Sequence, residues 1–472
     1  MARRHVGLAP IDMTRTETPS VTDALVAHVT TQRFEHLPPR AVEATRTFLL
    51  DSLGVALSGS RVPLVADLKA VAAAWGRGEQ CRIWGTGERV PAPTAAFING
   101  YQIHNQEWDC LHEPAVVHPM AVVLATLVAW AEAQGGVDGR SLLLGCSVAV
   151  DVAATIGSAA RGPLRFFRPA MCGALGATAG LAAMQRLDAD TTRSALGLAY
   201  SQLSGTMQAH VEGSPVLPMQ IGFNARAALT ALDLARRGVA GPRDFLEGPY
   251  GYYALYDADW DPAAYAGLGR AWRITELSHK PFPSGRATHG GVDGVLSLRD
   301  AHGFGAQDVA AIRVCAPPLV IQLVDRPPRP DMAPSYARLC LPYVAATALL
   351  RGTVSVEDFE PVAIRDPQRQ ALAARIRVLR DANPALNALA PQRVEVDLVS
   401  GARLALDLSA VLGAPGRPLG RERHLAKFRL AAASGLVALA PAHMEALIEA
   451  VDQLEQLPDV RRLVDHLVFT ES

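Results

Sequence analysis

Lysine is nearly missing from this chain. Of 45 basic residues in 472, only Lys69, Lys280 and Lys427 are lysines. Arginine cannot act as a compact, titrating amine, so any site that needs one must draw on these three. Charge is scarce as well: charged residues make up 19% and the formal net charge is -1. That balance excludes the basic stripe of a nucleic-acid-binding domain. The six cysteines (Cys81, Cys110, Cys146, Cys172, Cys315, Cys340) show no CxxC spacing. This excludes a disulfide framework and a thiolate zinc site, and it suits a reducing compartment. There is no GxGxxG or GxxxxGK[ST] run for a nucleotide cofactor, and no GxSxG elbow for serine hydrolysis. Apolar stretches such as MAVVLATLVAW look too short to span a bilayer, and the basic N-terminus lacks the apolar run of a signal peptide. The expectation is a cytoplasmic protein with no membrane or nucleic-acid partner and a loose tail over residues 1–19.

What the chain does contain is helix. Ser20 with Asp23 predicts an N-cap, and Pro38-Pro39 opens a second helix that stops at Gly59. A third spans 62–75. Ala- and Leu-rich segments at 92–105, 119–134, 141–160, 171–186, 191–205 and 221–237 follow, separated by Gly, Pro or Asp. Several are apolar on most faces, which places them centrally in a bundle. The character changes near 264. Residues 271–277 read as a strand, 286–300 as a helix, VAAIRVCAP as a strand and 333–351 as one helix. Residues 376–381 read as a strand and 394–408 as a hairpin around Ser400-Gly401. The predicted fold class is mainly α with an α+β second domain: a helical domain over 20–263, an α+β region over 264–422, and C-terminal helices over 423–472 that return to the first domain.

The densest polar cluster in apolar surroundings is NGYQIHNQEWDCLHEPAVVHP, residues 99–119. It carries His104, Glu107, Asp109, His112, Glu113 and His118. Polar groups in such a place must be hydrogen-bonded, solvated in a cleft or bound to something. His104 and Glu107 are three apart and would share a face if the preceding helix continued. His118 precedes Pro119, which places it at a helix N-cap, where free N–H groups attract anions and depress an imidazole's pKa. His112-Glu113 superficially resembles a zincin motif. The second histidine at i+4 is missing and Pro114 breaks the required helix, so no metal is expected.

A second candidate is SHKPFPSGRATH, residues 278–289, with Lys280 as carboxylate clamp or proton carrier and Arg286 and His289 facing the same cleft. Arg168, beside Pro169 at a helix start, offers a bidentate carboxylate donor. His210, in a connection between helices, is a further lining candidate.

The run NGYQIHNQEWDCLHEPAVVHPMAVVLATLVAWAE resembles the hallmark of the MmgE/PrpD family, which includes 2-methylcitrate dehydratases, cis-aconitate decarboxylase and iminodisuccinate epimerase. Supporting marks are LLDSLGVALSGS (49–60), FLEGPYGYY (245–253), HKPFPSGRATH (279–289), ARLCLPYVAATALLRG (337–352) and AKFR (426–429). The resemblance implies a helical domain with a smaller α+β lid, a homodimer, and chemistry without metal or organic cofactor. It matches Asp109, His118 and Lys280 to family positions, puts Glu107 where an aspartate is usual, and matches Tyr343 to an aromatic position near the domain junction. Two stretches depart. Phe167-Arg168-Pro169-Ala170 stands where a histidine-bearing GFHPT-like stretch is common. Leu217 to Gly222 stands where a lysine and histidine are common. The hallmark is also one residue longer between His104 and His118.

The expected function is hydro-lyase action on a small citrate-like or hydroxy-polycarboxylate, by removal of a proton α to a carboxylate. His118 and Lys280 would carry the protons, supported by His104, Glu107 and Asp109. Arg168, His112, His210, Arg286, His289 and Tyr343 would face substrate. Decarboxylation of a cis-aconitate-like acid, epimerisation of a dicarboxylate, and a non-catalytic member of the fold are the alternatives.

Overall fold

The computed structural model describes residues 20–468; the tail expected over 1–19 lies outside them. The first two-thirds fold as helices, and caps explain where they begin. Ser20 accepts from the Asp23 amide, Asp138 from that of Ser141, and Asp188 from that of Thr191. Each satisfies one donor that the first turn leaves open. Pro119 and Pro169 sit in the first turns of Pro119–Ala133 and Arg168–Met184, where the missing N–H costs nothing.

The central helices are Pro119–Ala133, Gly139–Ala159 and Arg168–Met184, and nearly every residue in them is buried. Their close approach depends on small residues. A Cβ on Gly176 would stand 2.4 Å from the Ala149 carbonyl oxygen, and one on Gly180 would stand 2.5 Å from that of Gly145. Gly139–Ala159 is, at 21 residues, long and apolar enough to cross a membrane, which corrects the expectation that no stretch was. Here it lies inside the helical core.

The smaller α+β region holds a four-stranded sheet, in the order Ile376–Arg380, Val309–Ala316, Gln392–Leu398, Arg403–Leu408. The first pair is parallel and the other two antiparallel. The predicted hairpin is the last pair. Helices His289–His302 and Leu341–Arg351 pack against the sheet.

Two predicted elements differ. Residues 273–276 form a 3-10 turn, and only Leu277–Ser278 is extended. The helix predicted over 333–351 is two, Pro334–Ala337 and Leu341–Arg351. Pro342 lies in the first turn of the second, so it restarts a helix instead of continuing one.

The C-terminal helix Arg421–Ala433 returns to the first domain. It lies along Pro39–Gly59, with Phe428 over Gly54 and Lys427 Nζ 2.7 Å from Asp51.

Candidate active site

The hallmark loop and the junction loop are joined by two residue pairs. Leu111 pairs with Ser278 and His112 with Leu277, antiparallel. This short ladder carries Lys280 to the acidic end of the hallmark. The loop itself is strained: Glu107 and Val116 hold φ values of 54° and 53°. For a β-branched valine that is an outlier of the kind found where surrounding structure fixes a functional loop.

The helix Ala92–His104 ends at His104, so Glu107 does not lie on its face as predicted. The left-handed turn at Glu107 nevertheless returns its carboxylate to 3.6 Å from His104 Nε2. Asp109, fully buried, is the hub. His104 Nδ1 lies 3.0 Å and His118 Nδ1 3.2 Å from its carboxylate, and Lys280 Nζ lies 3.6 Å away. Lys280 also donates to Glu107 at 2.9 Å. An ionised carboxylate only accepts, so Asp109 draws a proton onto Nδ1 of both rings. The Nε2 of His118 is left with its lone pair.

Electrostatics separates the two histidines. Burial works against charge on His104, but Asp109 and Glu107 outweigh it and hold its pKa above the usual value. Burial and the Lys280 ammonium hold His118 below the usual value despite Asp109. Burial opposes ionisation of Glu107, yet Lys280 and both histidines draw its pKa down to about 2. Asp109 lies well below its ordinary range because the same cations outweigh its burial. The cluster therefore favours the charged form of both carboxylates and of His104, and the neutral form of His118.

His118 lines a partly open cavity. His104, Glu107, His210 and Arg286 contribute its polar wall; Leu111, Phe167, Met207 and Leu339 are among its apolar lining. Arg286 is held in place, with Nε donating to Glu113 at 2.9 Å and Nη1 to the Leu412 carbonyl at 2.7 Å. His210 takes two close contacts from Arg326 Nη2, at its carbonyl (2.6 Å) and at Nδ1 (3.0 Å). Burial first, then Arg326, pushes its pKa down to about 4.

Four candidates stand elsewhere. Arg168 is buried in an ion pair with Asp257 at 2.8 Å, and only its neighbours Phe167 and Pro169 reach the cavity. His112 Nε2 lies 2.8 Å from Glu276. His289 Nε2 lies 3.2 Å from the Ser284 carbonyl. The Tyr343 hydroxyl donates to the Asp358 carbonyl inside a separate apolar cluster. Lys280 itself is fully buried, does not line the cavity and donates to Glu107, which does.

Two groups of side chains among the described residues are close enough to hold a metal ion: His104 with Asp109 and His118, and Asp51 with His279 and His424. In the first, Asp109 already serves two imidazoles and an ammonium. A metal would add positive charge beside Lys280 and displace both Nδ1 protons, so the group suits proton transfer better.

Sequence reasoning missed Arg338, which lines a smaller cavity beside the first. The signal was Pro342, which announces a helix start and so places Arg338 in a connection instead of a helix interior.

Comparison with known proteins assigns both parts of the chain. The model of the MmgE/PrpD N-terminal domain matches residues 23–264, and that of the MmgE/PrpD C-terminal domain matches 282–455. Cis-aconitate decarboxylase of Mus musculus is 27% identical, over 93% of this chain and 92% of that protein. The Homo sapiens protein of the same name is also 27% identical, over 93% of each. A cis-aconitate decarboxylase of Aspergillus terreus is 24% identical, over 91% of this chain and 93% of its own length.

Proposed function

The chain belongs to the MmgE/PrpD family, and from that premise we propose that it decarboxylates a small unsaturated polycarboxylate of the cis-aconitate type. Its activity is lyase-type chemistry on a carboxylate substrate. Within that class the sequence put dehydration first. The named relatives are decarboxylases, and this shifts the preference.

The observation that carries the proposal is His118: a neutral imidazole, its tautomer set by Asp109, with Nε2 open to a largely apolar cavity. An anionic substrate beside Nε2 raises the imidazole's pKa, so His118 takes up a proton as substrate binds. The bond to the departing carboxylate then breaks and carbon dioxide leaves. The bonding pair forms a new double bond, the old π pair moves to the carbon α to a remaining carboxylate, and that carbon takes the proton from His118. Apolar walls favour this step, because charge localised on the leaving carboxylate becomes dispersed. His104, with its raised pKa, and the guanidinium of Arg286 face the charge that develops.

Dehydration is the second reading. A neutral, depressed-pKa histidine is also suited to removing a proton α to a carboxylate. Incubating purified protein with cis-aconitate, citrate and 2-methylcitrate separates the two. Carbon dioxide release from cis-aconitate is expected. Rising absorbance from a new double bond with citrate or 2-methylcitrate, and no carbon dioxide, would transfer the assignment to dehydration. Inactivity toward all three would sink both.

A further inference from the structure

Arg338 lies in the three-residue break between helices Pro334–Ala337 and Leu341–Arg351. Its side chain is 7% exposed. Three other buried arginines have carboxylate partners: Arg168 has Asp257, Arg286 has Glu113 and Arg369 has Asp358, while Arg326 donates to the His210 carbonyl. Arg338 has none of this kind. Its Nε has no hydrogen-bond partner, and the Glu107 carboxylate, which lines the same cavity, favours its charge only from beyond ion-pair distance. One face of the guanidinium rests over the Phe359 ring, 4.9 Å from its centroid. A buried, unpaired guanidinium is unfavourable in a folded protein unless something outside the chain completes it.

The cavity that Arg338 lines is narrow, and Asn105, Ser214 and Ser335 also bound it. It shares His104, Glu107, Leu217 and Leu339 with the cavity in front of His118. The two spaces are therefore adjacent. His104 Nε2, 3.6 Å from the Glu107 carboxylate and without a hydrogen-bond partner, belongs to the shared wall. A group bound at Arg338 would have a second donor within the same wall.

We infer that Arg338 and His104 form a subsite for a carboxylate of the substrate remote from the one that reacts. The planar fork of a guanidinium accepts a carboxylate in bidentate fashion. A monoanion matches the charge available, whereas a dianion such as phosphate would leave surplus negative charge beside Glu107. This subsite rests on the proposed polycarboxylate substrate, but it can be tested without turnover.

The probe is tricarballylate, a saturated tricarboxylate that cannot lose carbon dioxide by this route, titrated calorimetrically into the full-length protein. Arg338→Gln should weaken its binding by at least ~10-fold, and Arg338→Lys should weaken it less. With cis-aconitate as substrate, Arg338→Gln should raise KM by more than it lowers kcat. The ligand-free Arg338→Gln protein should unfold at the same or a higher temperature than wild type, because an uncompensated charge has been removed. Unchanged tricarballylate binding in Arg338→Gln would overturn the inference. So would a wild-type protein that does not bind the probe at millimolar concentration. A ligand-free Arg338→Gln protein that unfolds at markedly lower temperature, or fails to fold, would mark the guanidinium as structural and overturn it as well. Arg338-dependent binding without carbon dioxide release would leave the subsite standing and remove only the decarboxylase reading.

Discussion

Arg168 and Arg338 are both buried arginines at the edge of a helix, and they have opposite surroundings. Arg168 begins a helix, pairs with Asp257 at 2.8 Å and donates to the Gly162 carbonyl at 3.0 Å. Arg338 stands in a helix break with its Nε unpartnered and an adjoining cavity. A guanidinium that the chain itself completes fixes structure. One that the chain leaves open is available to a ligand. Both buried lysines fall on the completed side: Lys427 is occupied by Asp51 and the Trp108 carbonyl, and Lys280 by Glu107 and Asp109.

The largest expected effect tests the paired side of this contrast. Arg168→Leu leaves Asp257 buried and unpaired, and should cost about 3–5 kcal/mol of stability in urea denaturation. If that variant stays stable but binds polycarboxylate poorly, the contrast fails and Arg168 becomes the substrate cation. Next come the groups around Asp109. His118→Ala and Lys280→Ala should each lower the rate of carbon dioxide release by more than roughly 100-fold, measured on folded protein. Near-normal turnover in both variants would move the chemistry elsewhere.

A smaller effect concerns pH. Burial first, then Arg326, puts His210 at about 4, and burial puts His279 at about 3. Both lie below the value in the unfolded chain, so the unfolded chain takes up protons first. Stability from these two should be complete above pH ~6.5 and fall as pH drops from there toward 4, by up to about 1.4 kcal/mol per pH unit for each proton. His104, with a raised pKa, acts in the other direction: its contribution is full at low pH and is lost as pH rises through its folded value. Denaturation midpoints measured between pH 4 and 8 would check the sum; a midpoint that rises on acidification would reverse it. The smallest effect is Tyr343→Phe. Its hydroxyl serves the Asp358 carbonyl, so the change should cost about 1 kcal/mol of stability and leave turnover intact. A large loss of rate would return Tyr343 to the site.

Much of the fold was legible because helix boundaries are local. Ser20, Asp138, Asp188 and the prolines at first turns act within one turn of chain, and the predicted helices lie within a few residues of those observed. The misses are also local in origin. The 273–276 turn carries an apolar pattern short enough to read as a strand, and the break at 338–340 was hidden by an apolar period that continues through it. In the site, the hallmark cluster and Lys280 stood out because polar groups were dense in an apolar region and lysine was rare. The positions of Arg168, His112, His289 and Tyr343 were not legible. Whether a polar side chain faces a cavity depends on partners such as Asp257, Glu276, Ser284 and Asp358, and three of these four lie fifteen or more residues away.

By itself, the sequence determined which residues were available: one lysine near a proline-rich junction, three histidines and three carboxylates in one short loop, and helices dense enough in small residues to pack closely around them. Only the tertiary structure decided how their charges were distributed. The ladder Leu111–His112 with Leu277–Ser278 carried Lys280 to Asp109 and Glu107, and the partners supplied by distant loops left Arg168 satisfied and Arg338 open. The physical reason is range. Caps and turns act within a few residues, whereas the pairing of a buried charge is set by whatever the finished packing brings within about 4 Å of it.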